Sequence, residues 1–161
     1  MSKGIGAPST TFFIRLCKPD DIAEVLEIRR TTFSFFAPET YSPKEVETLL
    51  LDVDELELYR IVENKSLFVA ERGDRVVACG GWMESSVRHM YVLPEKTRQG
   101  IGSALLETLE NDYRERTQRA TIEAGSVLYA REFYEKNGYD VLGVEYDWDG
   151  SRFYRMSKVF V

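Results

Sequence analysis

The chain has 161 residues, 43% of them hydrophobic and 30% charged, with 21 Lys and Arg against 27 Asp and Glu for a net charge of −6. That length fits a single domain over 1–161 with a core that needs no staples, and the composition excludes a disordered or collagen-like chain. The acidic balance excludes nucleic acid as a main partner, and no apolar run nears the roughly 20 residues of a membrane span or the core of a secretion signal, so the cytoplasm is the expected compartment and no membrane is expected as a partner.

Residues 1–11 are small and polar, an expected loose lead-in. Phe12–Cys17 predicts a first strand. Pro19, Asp20 and Asp21 open a helix whose apolar stripe is Ile22, Val25, Leu26 and Phe33. A second helix begins at a capping box, Ser42 with Glu45, with Pro43 in its first turn and Val46, Leu49, Leu50 and Val53 as its buried face. The aromatics ahead of it, Phe33, Phe35, Phe36 and Tyr41, serve either as core or as the wall of a pocket. Residues 67–83 predict a hairpin turning at Arg72, Gly73 and Asp74, followed by a strand over Val87–Val92 that Pro94 ends.

In the next helix Ile101, Leu105, Leu109 and Tyr113 recur every four residues, and Glu107, Glu110, Arg114 and Glu115 keep off that stripe. Ala120–Ala124 predicts a short strand, and 127–136 a short helix stopped by Asn137 and Gly138. The remainder predicts two strands around Asp149 and Gly150. Cys17 and Cys79 each lie in an apolar strand-like run and read as core residues, not as a disulfide or metal pair. With a single histidine in the chain, no metal is expected.

Most of the chemistry gathers in Val87–Leu109, VRHMYVLPEKTRQGIGSALLETL. A strand, a basic glycine-bearing loop and an amphipathic helix follow one another, and the first N–H groups of such a helix have no internal partner and face the favourable end of its dipole for anions. Arg98, Gln99, Gly100, Ile101, Gly102 and Ser103 are therefore the expected phosphate-facing run, the glycines letting the backbone come close. G-x-G also opens a dinucleotide fingerprint, with Glu123 about 20 residues on. Against that reading, Leu105 stands at the third glycine position and PEKTRQ separates the strand from the glycines.

The element order is that of an α+β mixed sheet. On the two motifs YVLPEKTRQGIGSALL and AREFYEKNGY, the chain resembles the GNAT superfamily of acyl-CoA-dependent N-acyltransferases. The first is similar to that family's pyrophosphate loop and the second to its signature on the short helix after strand five. The Tyr41-Ser42-Pro43 helix start is similar to a subgroup of uncharacterised bacterial members. The resemblance implies a central, mostly antiparallel sheet of about seven strands flanked by about four helices. It also implies acetyl-CoA as co-substrate and direct transfer of acetyl to a primary amine of a small molecule or peptide. One departure stands out: Thr97 occupies the family's Arg or Gln position, so either Arg98 substitutes from the next place or the backbone amides suffice.

The chemistry sets further demands. The attacking amine must be neutral, so some base takes its proton. The developing oxyanion needs a donor, which the resemblance assigns to a strand-four amide of Met90, Tyr91 or Val92. These amides would also pair with the pantetheine arm. Tyr134, in FYEKNGY, is the family-matched general acid for the leaving thiolate. His89 has the intrinsic pKa of a base; Glu123 and Glu84 are alternatives, as is a water chain. Phe36, Tyr41 and Trp82 are expected around the acceptor. A catalytically silent acyl-CoA-binding module would keep the Gly100 loop without needing Tyr134, and the presence of both favours an enzyme. The C-terminal strands, Tyr146–Phe160, are compatible with a homodimer.

Overall fold

The computed structural model describes residues 11–97 and 99–161, so the expected lead-in up to residue 10 and the candidate phosphate ligand Arg98 lie outside the described residues. In chain order the elements are β1 (Phe13–Leu16), α1 (Ile22–Phe36), α2 (Pro43–Leu51), α3 (Glu55–Glu63), β2 (Leu67–Arg72), β3 (Arg75–Met83), β4 (Ser86–Val92), α4 (Ile101–Thr117), β5 (Thr121–Ser126), α5 (Arg131–Lys136), β6 (Asp140–Tyr146) and β7 (Arg152–Val159). The strands form one seven-stranded sheet in the order β1-β2-β3-β4-β5-β7-β6. Every pairing is antiparallel except β4 with β5. This is the expected α+β mixed sheet, with one helix more than expected. That helix is α3, which Asp54 opens by accepting the Glu57 N–H at 3.0 Å and which buries Leu58, Ile61 and Val62.

Local chemistry accounts for the boundaries. Pro19–Asp21 is a single 3₁₀ turn, after which α1 runs on; Asp21 accepts from the Lys18 amide at 2.8 Å and from the Arg15 guanidinium at 2.7 Å, tying β1 to the helix start. At α2 the capping box forms in both directions, Glu45 N–H to Ser42 Oγ at 3.1 Å and Ser42 N–H to Glu45 Oε1 at 2.9 Å. Its stripe is only half covered, however, and Val53 falls beyond the helix end. In α4 the residues Ile101, Leu105, Leu109 and Tyr113 are fully buried, as their spacing requires. Glu110 is buried as well, against expectation: it accepts from the Tyr139 hydroxyl at 2.6 Å and from Lys158 at 2.9 Å, so the partners come from β6's start and from β7.

The sheet carries α3 and α4 on opposite faces. A Cβ on Gly81 would meet Ile61 of α3, whereas one on the neighbouring Gly80 would meet Leu109 of α4, and successive strand residues point to opposite sides. Cys17 and Cys79 are buried and unlinked; burial pushes each thiol up to about 12. No helix among the described residues is long and apolar enough to cross a membrane.

Two features of β4 shape the middle of the sheet. Between the pairs Cys79↔Tyr91 and Gly81↔Arg88, β4 holds one residue more than β3, a bulge at His89 and Met90 in which His89 takes a left-handed φ of 56°. The parallel ladder from β4 to β5 then consists of Ser86↔Glu123 and Val87↔Ala124 alone. Beyond it the two strands part, leaving an opening flanked by the second half of β4 and the end of β5.

Candidate active site

The opening between β4 and β5 lies beside the start of α4. Gly100 caps that helix at φ 82°, a left-handed conformation with open space where a Cβ would stand. Gly102 serves for a different reason: a Cβ there would come within 3.0 Å of Phe133 and 3.3 Å of Val92, so its bareness lets α4, α5 and β4 approach one another. Among the described residues the first bond of α4 is Ala104 N–H to Gly100 O at 3.1 Å, which leaves the Ile101, Gly102 and Ser103 amides at the helix mouth as the orphan donors of a first turn. Ile101's side chain is fully buried, so only its backbone can face a ligand. Thr97 donates its hydroxyl to Pro94 O at 2.9 Å and is spent on the turn. The exposed Gln99 accepts from Arg72 of the β2–β3 hairpin at 2.7 Å, which brings a cation to this loop from another element.

On β4, Leu93 N–H donates to Val77 O, so antiparallel alternation turns the Val92 peptide groups away from β3 and into the opening. The Val92 carbonyl accepts there from Thr32 Oγ1 of α1 at 3.3 Å. By the same alternation the Tyr91 N–H faces β3. Met90 fills the space over Gly80 beneath α4.

Four phenols, Tyr41, Tyr91, Tyr129 and Tyr134, and the Arg29 guanidinium act on one another in and around this opening. Tyr134 is buried between Phe133 and Tyr139, edge-on to both rings. Burial, then the neighbouring Tyr91, pushes its phenol well above the ordinary value, so it holds its proton. Burial raises Tyr91 as well, while Arg29, hydrogen-bonded to it, works against the rise. Arg29 also donates to the Leu49 and Asp52 carbonyls at 2.6 and 3.1 Å, closing the C-terminal end of α2.

The candidate bases are separated. His89 Nε2 lies 2.8 Å from Glu57 Oε1, and Arg88 donates to Glu57 Oε2 at 2.7 Å. The His89 bond, with Arg88 behind it, holds the Glu57 carboxyl below its ordinary value against the pull of burial. A carboxylate only accepts, so Nε2 carries a proton in this bond. Glu123 instead pairs with Arg155 at 3.1 Å, at the closed end of the β4–β5 ladder. Glu84 stands in the β3–β4 turn, exposed, with Arg88 at 3.7 Å.

Of the expected acceptor residues, Phe36 stacks on Tyr129 at 5.3 Å. Tyr41 is core: its hydroxyl accepts from Leu128 N–H and donates to Arg152 O, each at 2.9 Å, and burial pushes it up to about 12. Trp82 is not brought to them; it lies against Tyr113 of α4 with its indole N–H on Asp112 at 2.8 Å. Sequence reasoning missed Glu57, Arg29 and Tyr129. The Asp54 cap and the Leu58, Ile61, Val62 stripe signal the helix bearing Glu57, but no local pattern marks the other two.

Comparison with known proteins follows the same lines. The family described as Acetyltransferase (GNAT) domain matches residues 37–160. The uncharacterised N-acetyltransferase YafP of Escherichia coli is 26% identical over 129 residues, 80% of this chain and 81% of that protein. Among solved structures, a GCN5-related N-acetyltransferase from Rhodopseudomonas palustris superposes with a TM-score of 0.84 at 20% identity, over 98% of this chain and 100% of that one. The PaiA N-acetyltransferase of Thermoplasma acidophilum, solved with coenzyme A, does so with 0.68 at 19%, over 93% and 99%. Both are likenesses of fold.

Proposed function

The chain belongs to the GNAT acetyltransferase family, and on that premise we propose that it moves an acetyl group from acetyl-CoA directly to a primary amine of a small molecule or peptide, in a ternary complex. The observation that carries this reading is the parting of β4 and β5 beside the start of α4, whose Gly100 cap has no side chain to fill the first-turn amides, with Tyr134 at its side. Acetyl-CoA fits the residues there, since open space at Gly100 and the orphan first-turn amides form an anion cradle.

In this scheme the Ile101, Gly102 and Ser103 amides would hold the pyrophosphate, with Gln99 and Arg72 beside them. Acetyl-CoA supplies the activated thioester. The Val92 N–H, facing the opening, is the donor aimed at the thioester carbonyl. Met90 and Tyr91 line the same strand. His89, with Nε2 held by Glu57, offers Nδ1 to take the proton of the attacking amine, and is preferred to Glu123, which is engaged by Arg155. As the N–C bond forms and the C–S bond breaks, Tyr134 gives its proton to the leaving sulfur. Transfer through Cys17 or Cys79 is disfavoured, because buried thiols near 12 are not thiolates at neutral pH.

A thiol-release assay over a panel of primary amines, run beside calorimetric titration with acetyl-CoA, tests the reading. Tyr134→Phe is expected to lower kcat by 10²-fold or more while acetyl-CoA affinity changes less than about twofold. Absence of acetyl-CoA binding to the wild type would sink it. For self-association the expected segment Tyr146–Phe160 is mostly β7, which is paired on both sides, so the candidate is instead edge strand β6, which exposes Leu142, Val144 and Tyr146; sedimentation velocity decides.

A further inference from the structure

The Tyr129 hydroxyl is buried and has no hydrogen-bond partner among the described residues. Buried polar groups without partners are few in native proteins, and each asks for a reason. Ordinary packing does not supply one, since a phenylalanine would fill the same space. The ring is held between α1 and the end of β5, tilted against Phe33 at 6.0 Å and stacked on Phe36 at 5.3 Å. It belongs to the cluster around Phe33, Ala37 and Tyr41, away from the α4 side where Tyr134 packs with Leu106, Leu109 and Tyr113. The hydroxyl itself lies where Tyr91 of β4, Tyr41, Tyr134 of α5 and Arg29 of α1 act on it. The ring thus packs on the α1 side, while its hydroxyl lies near Tyr91 of β4 and Tyr134 of α5.

The groups facing it decide the chemistry of what completes it. Three are phenols and one is a guanidinium. Tyr41's hydroxyl is already spent on Leu128 and Arg152, and Arg29 is a donor only. Burial keeps the Tyr129 phenol protonated, and with Arg29 a second donor near it, the two suit an acceptor oxygen.

We propose that Tyr129 is an acceptor-binding residue, whose hydroxyl donates to a carbonyl or carboxylate oxygen beside the amine to be acetylated, so that the acceptor is an α-amino acid or the N-terminus of a peptide. This rests on the acetyl-transfer reading of the same opening. The Phe36–Tyr129 stack forms one wall against the acceptor's apolar part, and the orphan hydroxyl receives its partner only when the acceptor is bound. Arg29, close by, favours an oxygen with negative charge.

Three matched amines separate the possibilities: L-phenylalanine, L-phenylalaninamide and phenethylamine, which share a ring and an amine and differ in the carboxylate, the carboxamide or neither. Wild-type enzyme is expected to acetylate one or both carbonyl-bearing amines in preference to phenethylamine, the better of the two telling carboxylate from carbonyl. Tyr129→Phe is expected to lower kcat/KM for that substrate roughly tenfold or more, mainly through its KM. The same change leaves phenethylamine turnover and the KM for acetyl-CoA within about twofold. The melting temperature is expected to hold or rise, since no bond is lost. An equal fall for all three amines, or no fall, overturns the proposal, as does preference for phenethylamine. Acetyl-CoA binding without acetylation of any of the three also overturns it, while leaving the cofactor reading intact; no acetyl-CoA binding removes both.

Discussion

Replacing Gly102 by alanine sets two effects against each other. Alanine favours a helix interior by at most about 1 kcal/mol over glycine, and less in a first turn. The new Cβ, however, would stand 3.0 and 3.4 Å from Phe133 and 3.3 Å from Val92. Those contacts are too short by a few tenths of an ångström, and overfilling a packed site costs about 1–3 kcal/mol. Packing wins by roughly 1 kcal/mol, a fall in Tm of about 2–4 °C for a chain of this size. Phe133 sits on the six-residue α5 next to Tyr134, so the displacement is expected to reduce kcat as well. Urea melts of Gly102→Ala, Phe133→Leu and the double variant measure the contact: relief by the smaller residue predicts a coupling of about 1 kcal/mol. Additive single effects, or a Tm that rises with Gly102→Ala, would refute the argument. Gly100→Ala meets no neighbour but must adopt φ 82°, so it is expected to cost about 1–2 kcal/mol, partly restored by Gly100→Asn.

Other expectations follow from the ion pairs. Arg152, then the Ser42 amide, holds the Glu45 carboxyl down at about 2. Its stabilisation is therefore present above the ordinary carboxylate range and lost as pH falls toward 2, and Glu45→Gln is expected to lower Tm at pH 7 but not at pH 2. Asp52 behaves oppositely. Burial and Asp149 push it up, so its folded state is disfavoured as pH rises through that raised value; Asp52→Asn is expected to raise Tm at neutral pH and leave it unchanged at pH 3. Glu57→Gln removes the carboxylate that holds the His89 imidazole, and kcat is expected to fall while acetyl-CoA affinity holds; an unchanged kcat would remove His89 as the base. Glu110→Ala strands the Tyr139 hydroxyl and Lys158, with an expected loss of about 3 kcal/mol by urea denaturation.

Much of the fold was legible because its signals are local. Ser42, Pro43 and Glu45 lie within one helical turn and cap it by themselves. Ile101, Leu105, Leu109 and Tyr113 describe one helix face whatever surrounds them, and the Gly73-Asp74 turn sets the β2–β3 hairpin. The glycine loop and FYEKNGY likewise announce themselves as contiguous strings, which is why the family could be read from residues alone. The site is otherwise. Glu57 meets His89 across 32 residues, Tyr41 meets Arg152 across 111, and Arg29 reaches the end of α2 from the middle of α1. Periodicity cannot foresee that Glu110, on the polar side of its pattern, is buried because Tyr139 and Lys158 come to it, or that Trp82 belongs under α4. Nor does any string reveal a hydroxyl left without a partner: Tyr129 is ordinary in sequence and becomes distinctive only once three other elements have closed around it. Local geometry is encoded in neighbouring residues, whereas burial, pairing and its absence are properties of surfaces that only folding brings together.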